Sequence, residues 1–317
     1  MDRRVEAVLN AARVGEATDI ILKEGEIAAY RINGRLEAGG VQIDSSFMEE
    51  LFRNLTPASA CYTGLPSSLD LAFECRGRYR ANLFTAEGRK CAVLRVIKER
   101  VGSLAELGLP DLLVDRIAAR KGLSLVVGKT GSGKSTTLAS ITQELLKRED
   151  AHVVTLEDPV EFRLQSNRGT ATQRELGRDF SSFEDGIYQA LRQSPDFIVI
   201  GEIRNLSSLK AALTAAEAGH GIIGTIHSSG ASRTLTRMLA MIPESEKEFA
   251  RFQISSVLNF MLSQRLDYVE NGPSLDYELL LNVPSVENTI REGRLNQLDN
   301  LIFLGEKLGM RRFIAST

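Results

Sequence analysis

The sequence predicts an α/β protein: a mainly parallel sheet covered by helices, preceded by a smaller α+β domain. Two observations set this class. From about residue 111 onward apolar strand runs alternate with helical patterns, whereas before about residue 98 the chain reads as strands and turns around one or two short helices. The third observation is the length of 317 residues, which exceeds a typical single domain and leaves each part long enough to bury a core.

In the first part, TDIILK, EIAAYRINGRL with its Asn-Gly turn, SLDLAFECRGRYRANLF and RKCAVLRVI alternate in polarity or carry β-branched and aromatic residues. That is the pattern of a small antiparallel sheet. KERVGSLAELGLP, Lys98 to Pro110, is polar and carries Gly102, Gly108 and Pro110, so it reads as a linker. The expected division is 1–98 for the N-terminal domain, 99–110 for the linker and 111–317 for the second domain. DLLVDRIAARK then opens a helical pattern, and LSLVV, HVVTL, DFIVI and GIIGTI are strand runs separated by stretches such as SFEDGIYQALRQ and LSSLKAALTAAEA. Such alternation implies a sheet covered on both faces, whose ligands bind at the carboxyl ends of its strands.

Composition narrows the function. With a formal net charge of -2 there is no general attraction to nucleic acid, and no direct nucleic-acid partner is expected. The opening MDRRVEAVLNAARVGEA is too polar for a secretory signal, and no apolar run reaches membrane-spanning length, so a cytoplasmic protein is expected. Cys61, Cys75 and Cys91 are odd in number and widely spaced, which fits buried or half-buried thiols rather than a disulfide framework or a zinc site.

Gly128 to Ser135, GKTGSGKS, fits GxxxxGK[ST] between the strand LSLVV and the helical pattern STTLASITQELLKR. Its glycines let backbone N–H groups turn inward around phosphate oxygens, and the helix aims its positive end at them. The candidate nucleotide contacts are Gly128, Thr130, Gly131, Ser132, Gly133, Lys134, Ser135 and Thr136. Lys134 supplies a point charge for the β- and γ-phosphates, and the Ser135 hydroxyl can ligate magnesium.

Hydrolysis needs carboxylates. DFIVIGEIR ends its strand at Glu202, a candidate for magnesium or the attacking water, and VVTLEDPVEF ends in Glu157 and Asp158. One acid can order the metal while the other polarises water, and either assignment fits the residues. His220 and His227 flank the strand in EAGHGIIGTIHSS; they are either structural or placed to sense the γ-phosphate or bond the acids. Arg80 stands in GRYRANLF and Arg95 in CAVLRVI, the latter with apolar neighbours on both sides, and they are read either as internal salt bridges or stems reaching the surface, or as charge supplied to the γ-phosphate. Arg174 in QREL is a further arginine of this kind.

Taken in order, GKTGSGKSTT, TLEDPVEF, QRELGRD, ALRQSPDFIVIGEIR, TAAEAGHGIIGTIHSSGASRTLTRM and IREGR resemble the secretion ATPases of type II/IV systems, and most of all the PilT-like retraction ATPases of type IV pili. The likeness runs from about Thr18 to the end. It implies a PAS-like domain joined to a RecA-like P-loop ATPase domain, assembled as a homohexamer on an inner-membrane platform protein. Any membrane association would then be peripheral, through partners at the cytoplasmic face of the inner membrane. It implies that Glu157 belongs to the Asp box, that Glu202 is the Walker B acid, that His220 and His227 form the His box, and that Arg80, Arg95 and Arg174 serve catalysis.

The sequence departs from the family pattern at Lys129, in the GEIRN that replaces GEMRD with Asn205, in TDIIL for SDLHL, and in SVENTIRE, where Glu287 replaces an arginine of a retraction-associated motif. Its last segment also reads as short for the family. The expected function is a magnesium-dependent ATP-hydrolysing motor of a type IV pilus or related secretion machine. The alternatives are another secretion, competence or conjugation ATPase, or a nucleotide-binding regulator with little turnover.

Overall fold

The computed structural model describes residues 3–32, 34–56, 68–97, 101–269 and 272–314. It divides into two compact units, Met1–Arg100 and Val101–Thr317. Cys61 and residues 98–100 of the expected linker lie outside the described residues. Leu104 and Leu109, from the rest of that stretch, are buried in the core of the second unit.

The first unit is a six-stranded antiparallel sheet. Its strands are β1 (Asp19–Lys23), β2 (Ile27–Ile32), β3 (Arg35–Gln42), β4 (Ser68–Glu74), β5 (Arg78–Ala86) and β6 (Arg89–Ile97), in the order β3-β2-β1-β6-β5-β4. Ile32 pairs with Arg35, so the turn holds two residues, and Gly34 takes the positive φ of 79° that a tight hairpin turn demands. Burial alternates along β1 and β5, which turns Ile20, Leu22, Tyr79, Ala81 and Leu83 to one face. Helices Arg3–Val14 and Ser45–Leu55 supply the rest of that core: Val5, Val8, Leu9 and Ala12 recur at helical spacing, as do Phe47, Met48 and Leu51. The Tyr79 hydroxyl donates to the Leu9 carbonyl, so the largest core ring keeps a polar partner.

The second unit is built on a seven-stranded sheet: β7 (Gly122–Val127), β8 (His152–Glu157), β9 (Thr170–Glu175), β10 (Phe197–Ile200), β11 (Gly221–Ile226), β12 (Leu258–Val269) and β13 (Gly272–Leu281). The order is β13-β12-β7-β11-β10-β8-β9, parallel throughout except for the β12–β13 hairpin. Every residue of β7, β10 and β11 is buried, as strands covered on both faces must be. The α/β class read from the sequence therefore holds.

Strand order positions the site. The chain leaves β7 to one side for β8 and returns on the other for β12, so the crevice at the carboxyl end of β7 is a switch point where ligands bind. The sequence reading missed three strands. The residues of β9 are all half-buried or exposed because it closes the sheet's edge, so QREL passes for a loop. β12 and β13 form a hairpin whose apolar and polar residues mix without a clean period.

Candidate nucleotide site

The loop after β7 is shaped by glycine. Gly131 and Gly133 sit at φ 78° and 83°, in the left-handed region that glycine alone enters freely. A Cβ on Gly128 would stand 2.2 Å from Ser132 Oγ and 2.7 Å from the carbonyl oxygen of Gln264. The loop is closed by Ser132 N–H donating to Lys129 and anchored by Gly128 N–H donating to Ile226 of the neighbouring strand. The helix Lys134–Arg148 then begins directly, leaving its first N–H groups and positive end at the loop.

Lys134 is only 8% exposed. Its ammonium donates to the carbonyls of Gly128 at 2.9 Å and Lys129 at 2.8 Å, and lies 3.3 Å from His227 Nδ1. Burial lowers its pKa, with Glu202 and Glu161 opposing that shift. Thr130, Gly131 and Ser135 are exposed and Thr136 half-buried. The Ser135 hydroxyl has no hydrogen-bond partner among the described residues, which fits a group free to ligate a cation.

A line of charges continues from Lys134 along the strand ends. His227 faces the Lys134 ammonium through Nδ1, and its Nε2 lies 3.2 Å from Glu202 Oε1. The other oxygen of Glu202 forms an ion pair with Arg204 Nε at 2.7 Å, and Arg204 also reaches Asp158 at 3.7 Å. The turn carrying Glu202 is fixed by β11: Ile203 N–H donates to Thr225, and the Thr225 hydroxyl donates to Gly201. Both carboxylate oxygens of Glu202 are thus already engaged.

Glu157 is held differently. It ends β8, beside Gly201, whose Cβ position is 3.4 Å from the Glu157 Cα. Its Oε1 accepts from the Thr155 hydroxyl at 2.6 Å and the Gln173 amide at 3.1 Å. Burial raises its pKa, and the hydrogen bonds from Thr155, Gln173 and the Glu161 backbone only partly offset that. A carboxylate whose proton affinity is raised is a stronger base than an ordinary one.

Within the second unit, His220 and Arg174 are not brought to this cluster. His220 stands at the amino end of β11, where its Nδ1 lies 2.9 Å from the Pro195 carbonyl, with the whole strand between it and His227. At the usual rise that separation is about 23 Å. Arg174 donates to the Asp179 carbonyl and the Gln189 side chain, and its guanidinium lies 5.6 Å from the centre of the Phe180 ring. Arg80 and Arg95 belong to the first unit, directly opposite each other on β5 and β6. Arg95 is paired with Asp19 at 3.1 Å and is 61% exposed, the salt bridge that the residues allowed, while Arg80 has no ion pair among the described residues.

Sequence reasoning missed Arg204, Thr155, Gln173 and Gln264. A signal existed for Gln264 alone, a polar residue inside the run NFMLSQRL that is 3% exposed. Asn205 has a local role: its side chain accepts from Ser208 N–H to cap the helix Leu206–Glu217, work that an aspartate does equally well. Glu287 pairs with Arg291 one turn along its own helix. Among the described residues no group of three or more His, Cys, Asp or Glu is arranged to hold a metal. Nor is any helix among them long and apolar enough to cross a membrane.

Comparison with known proteins identifies the family of the chain. The family profile described as type II/IV secretion system protein matches residues 65–271. The Escherichia coli K12 protein YggR, itself uncharacterised, is 38% identical over 93% of this chain and 91% of its own length. The type IV pilus retraction ATPase PilT of Pseudomonas aeruginosa is 38% identical over 76% of this chain and 71% of that protein. Among solved structures, the pilus retraction motor PilT with bound ADP superposes with a TM-score of 0.88 at 32% identity, covering 98% of this chain and 95% of that one. The profile match over most of the second unit, these relatives and the shared fold place the chain in the type II/IV secretion system protein family, among its PilT-like ATPases.

Proposed function

We propose that the chain is the ATP-hydrolysing motor of a type IV pilus or a closely related secretion machine. It works as a homohexamer at the cytoplasmic face of the inner membrane, against a platform protein and with no direct nucleic-acid substrate. The observation that carries this reading is the continuous line from the phosphate loop through Lys134, His227 and Glu202 to Arg204. It ties the nucleotide's phosphates to the acids at the neighbouring strand ends.

Lys134 exchanges its bonds to Gly128 and Lys129 for the β- and γ-phosphates, while loop N–H groups and the helix end hold the remaining oxygens. Ser135 and Glu202 are the residues that would hold magnesium, which neutralises charge on the phosphates when bound. Glu157 accepts a proton from the attacking water as the water oxygen bonds to the γ-phosphorus and the bridging bond to ADP breaks; its desolvated position favours that uptake. His227 follows the change, because it touches both Lys134 and Glu202.

Arg80 and Arg95 are the charges that the first domain offers to the γ-phosphate, Arg95 by leaving Asp19. Movement about residues 98–110 after hydrolysis is the stroke passed around the ring. His220 and Arg174, held by a carbonyl and by an amide with a carbonyl, have no chemical step in this scheme.

The test is magnesium-dependent ATP hydrolysis across protein concentration, with Lys134→Ala as the blank. Turnover per subunit that rises with concentration is expected of a ring; wild-type turnover no greater than that of Lys134→Ala refutes the motor.

A further inference from the structure

We infer that Gln264 is a positioning residue for the phosphate loop and that β12 is the loop's rigid backing. The inference rests on reading that loop as the nucleotide site. β12 runs parallel to β7 with Ser263 opposite Val127, so the next residue, Gln264, stands beside Gly128, where the loop begins. Its Nε2 donates to the Ser132 carbonyl at 2.6 Å, and both residues are buried, at 3% and 5% exposure.

Two of the loop's glycines answer to this neighbour. A Cβ on Gly128 would lie 2.7 Å from the Gln264 carbonyl oxygen, and one on Gly133 would lie 3.3 Å from its Nε2. The loop is therefore moulded against β12 as well as around a phosphate.

The bond has a directional consequence. Carbonyl and N–H of one trans peptide point in opposite directions, so anchoring the Ser132 carbonyl to β12 aims the Gly133 N–H the other way. That fixes one of the donors that cradle phosphate. The amide cannot be reversed, because its oxygen would then face the Ser132 carbonyl oxygen. Gln264 Oε1 is left buried with no partner among the described residues, so the amide is held for its donor alone.

The second strand of the hairpin makes a parallel contact. Glu278, opposite Ser263, accepts from the N–H of Ala231 at 2.8 Å, the first residue of the helix that follows the His227 loop. One hairpin thus supports both loops that meet at Lys134.

Gln264→Met keeps the side-chain volume and removes the donor; Gln264→Glu replaces the donor with a group that regains one only when protonated. MgADP affinity is measured by calorimetry on the full chain, beside thermal unfolding, with wild type and Lys134→Ala titrated in parallel. Gln264→Met is expected to unfold within a few degrees of wild type yet bind MgADP about tenfold more weakly. Its KM for ATP should rise by a similar factor while kcat falls less. Gln264→Glu is expected to recover affinity relative to wild type as pH falls, whereas Gln264→Met is not.

Gln264→Met that binds MgADP as tightly as wild type overturns the inference alone. So does an absence of pH recovery in Gln264→Glu, which decides the matter even if the methionine variant does not fold. Wild type that binds no better than Lys134→Ala overturns the nucleotide reading itself.

Discussion

Glu157→Gln separates catalysis from stability. The amide is nearly the same shape as the carboxylate, and its oxygen can still accept from Thr155 and Gln173, so these two side-chain donors keep an acceptor; the backbone N–H of Glu161 also donates to the carboxylate. What disappears is a charge that burial disfavours, since desolvation is the largest cause of the raised pKa. The unfolding midpoint at neutral pH should therefore hold or rise, by about 2–4 °C for each kcal/mol recovered in a domain of this size. Turnover should fall at least about a hundredfold, the lower end of what a general base supplies and about 2.7 kcal/mol of barrier.

The sign with pH follows from the direction of the shift. A carboxyl whose folded pKa is raised favours the fold below the unfolded value of 4.5, and that contribution is lost as pH rises through the folded pKa. Wild type should thus lose stability relative to Glu157→Gln on going from acid to neutral pH. Its turnover should show an acid limb above the ordinary carboxylate range, where the base becomes protonated. Thermal melts and initial rates from pH 4 to 8, about four units around that range, test both. Turnover within twofold of wild type at pH 7, or a midpoint several degrees lower, would refute the assignment of a desolvated base to this position.

Glu202→Gln is expected to retain nucleotide binding and slow turnover at least about tenfold, because an amide lacks the charge that faces both His227 and Arg204; binding isotherms and steady-state rates decide it, and unchanged turnover removes Glu202 from the chemistry. Arg95→Ala breaks an exposed pair with Asp19, so its unfolding midpoint should move by less than about 4 °C while ATP turnover drops clearly. Normal turnover, with or without lost stability, would leave Arg95 as a structural partner of Asp19.

The candidate site was legible where chemistry depends on local order. GKTGSGKS constrains its own backbone through glycine and its own neighbours through the strand and helix beside it, so Gly128 to Ser135 could be read without tertiary contacts. Glu202 was legible too, as an acid at the end of a run too apolar to be anything but a buried strand. Arg204 sat two residues further on and was passed over, because only the turn set by Thr225 and Gly201 folds it back onto Glu202 and Asp158. His220 and His227 carried equal claims in one dimension, and a strand's length separates them in three.

The sequence alone determined the α/β class and singled out a two-part organisation and a candidate phosphate-binding loop, since each follows from periodicity and from residues a few positions apart. Only tertiary structure decided which titratable groups share an environment. The pairing of His227 with both Lys134 and Glu202, the desolvation of Glu157, and the reach of Gln264 across 132 positions to Ser132 all arise from strand order, which brings β8, β10, β11 and β12 to one side of the sheet's carboxyl edge or the other. The physical reason is range: periodicity acts over a few residues, whereas burial and Coulomb interaction depend on distances that the chain sets only once it has folded.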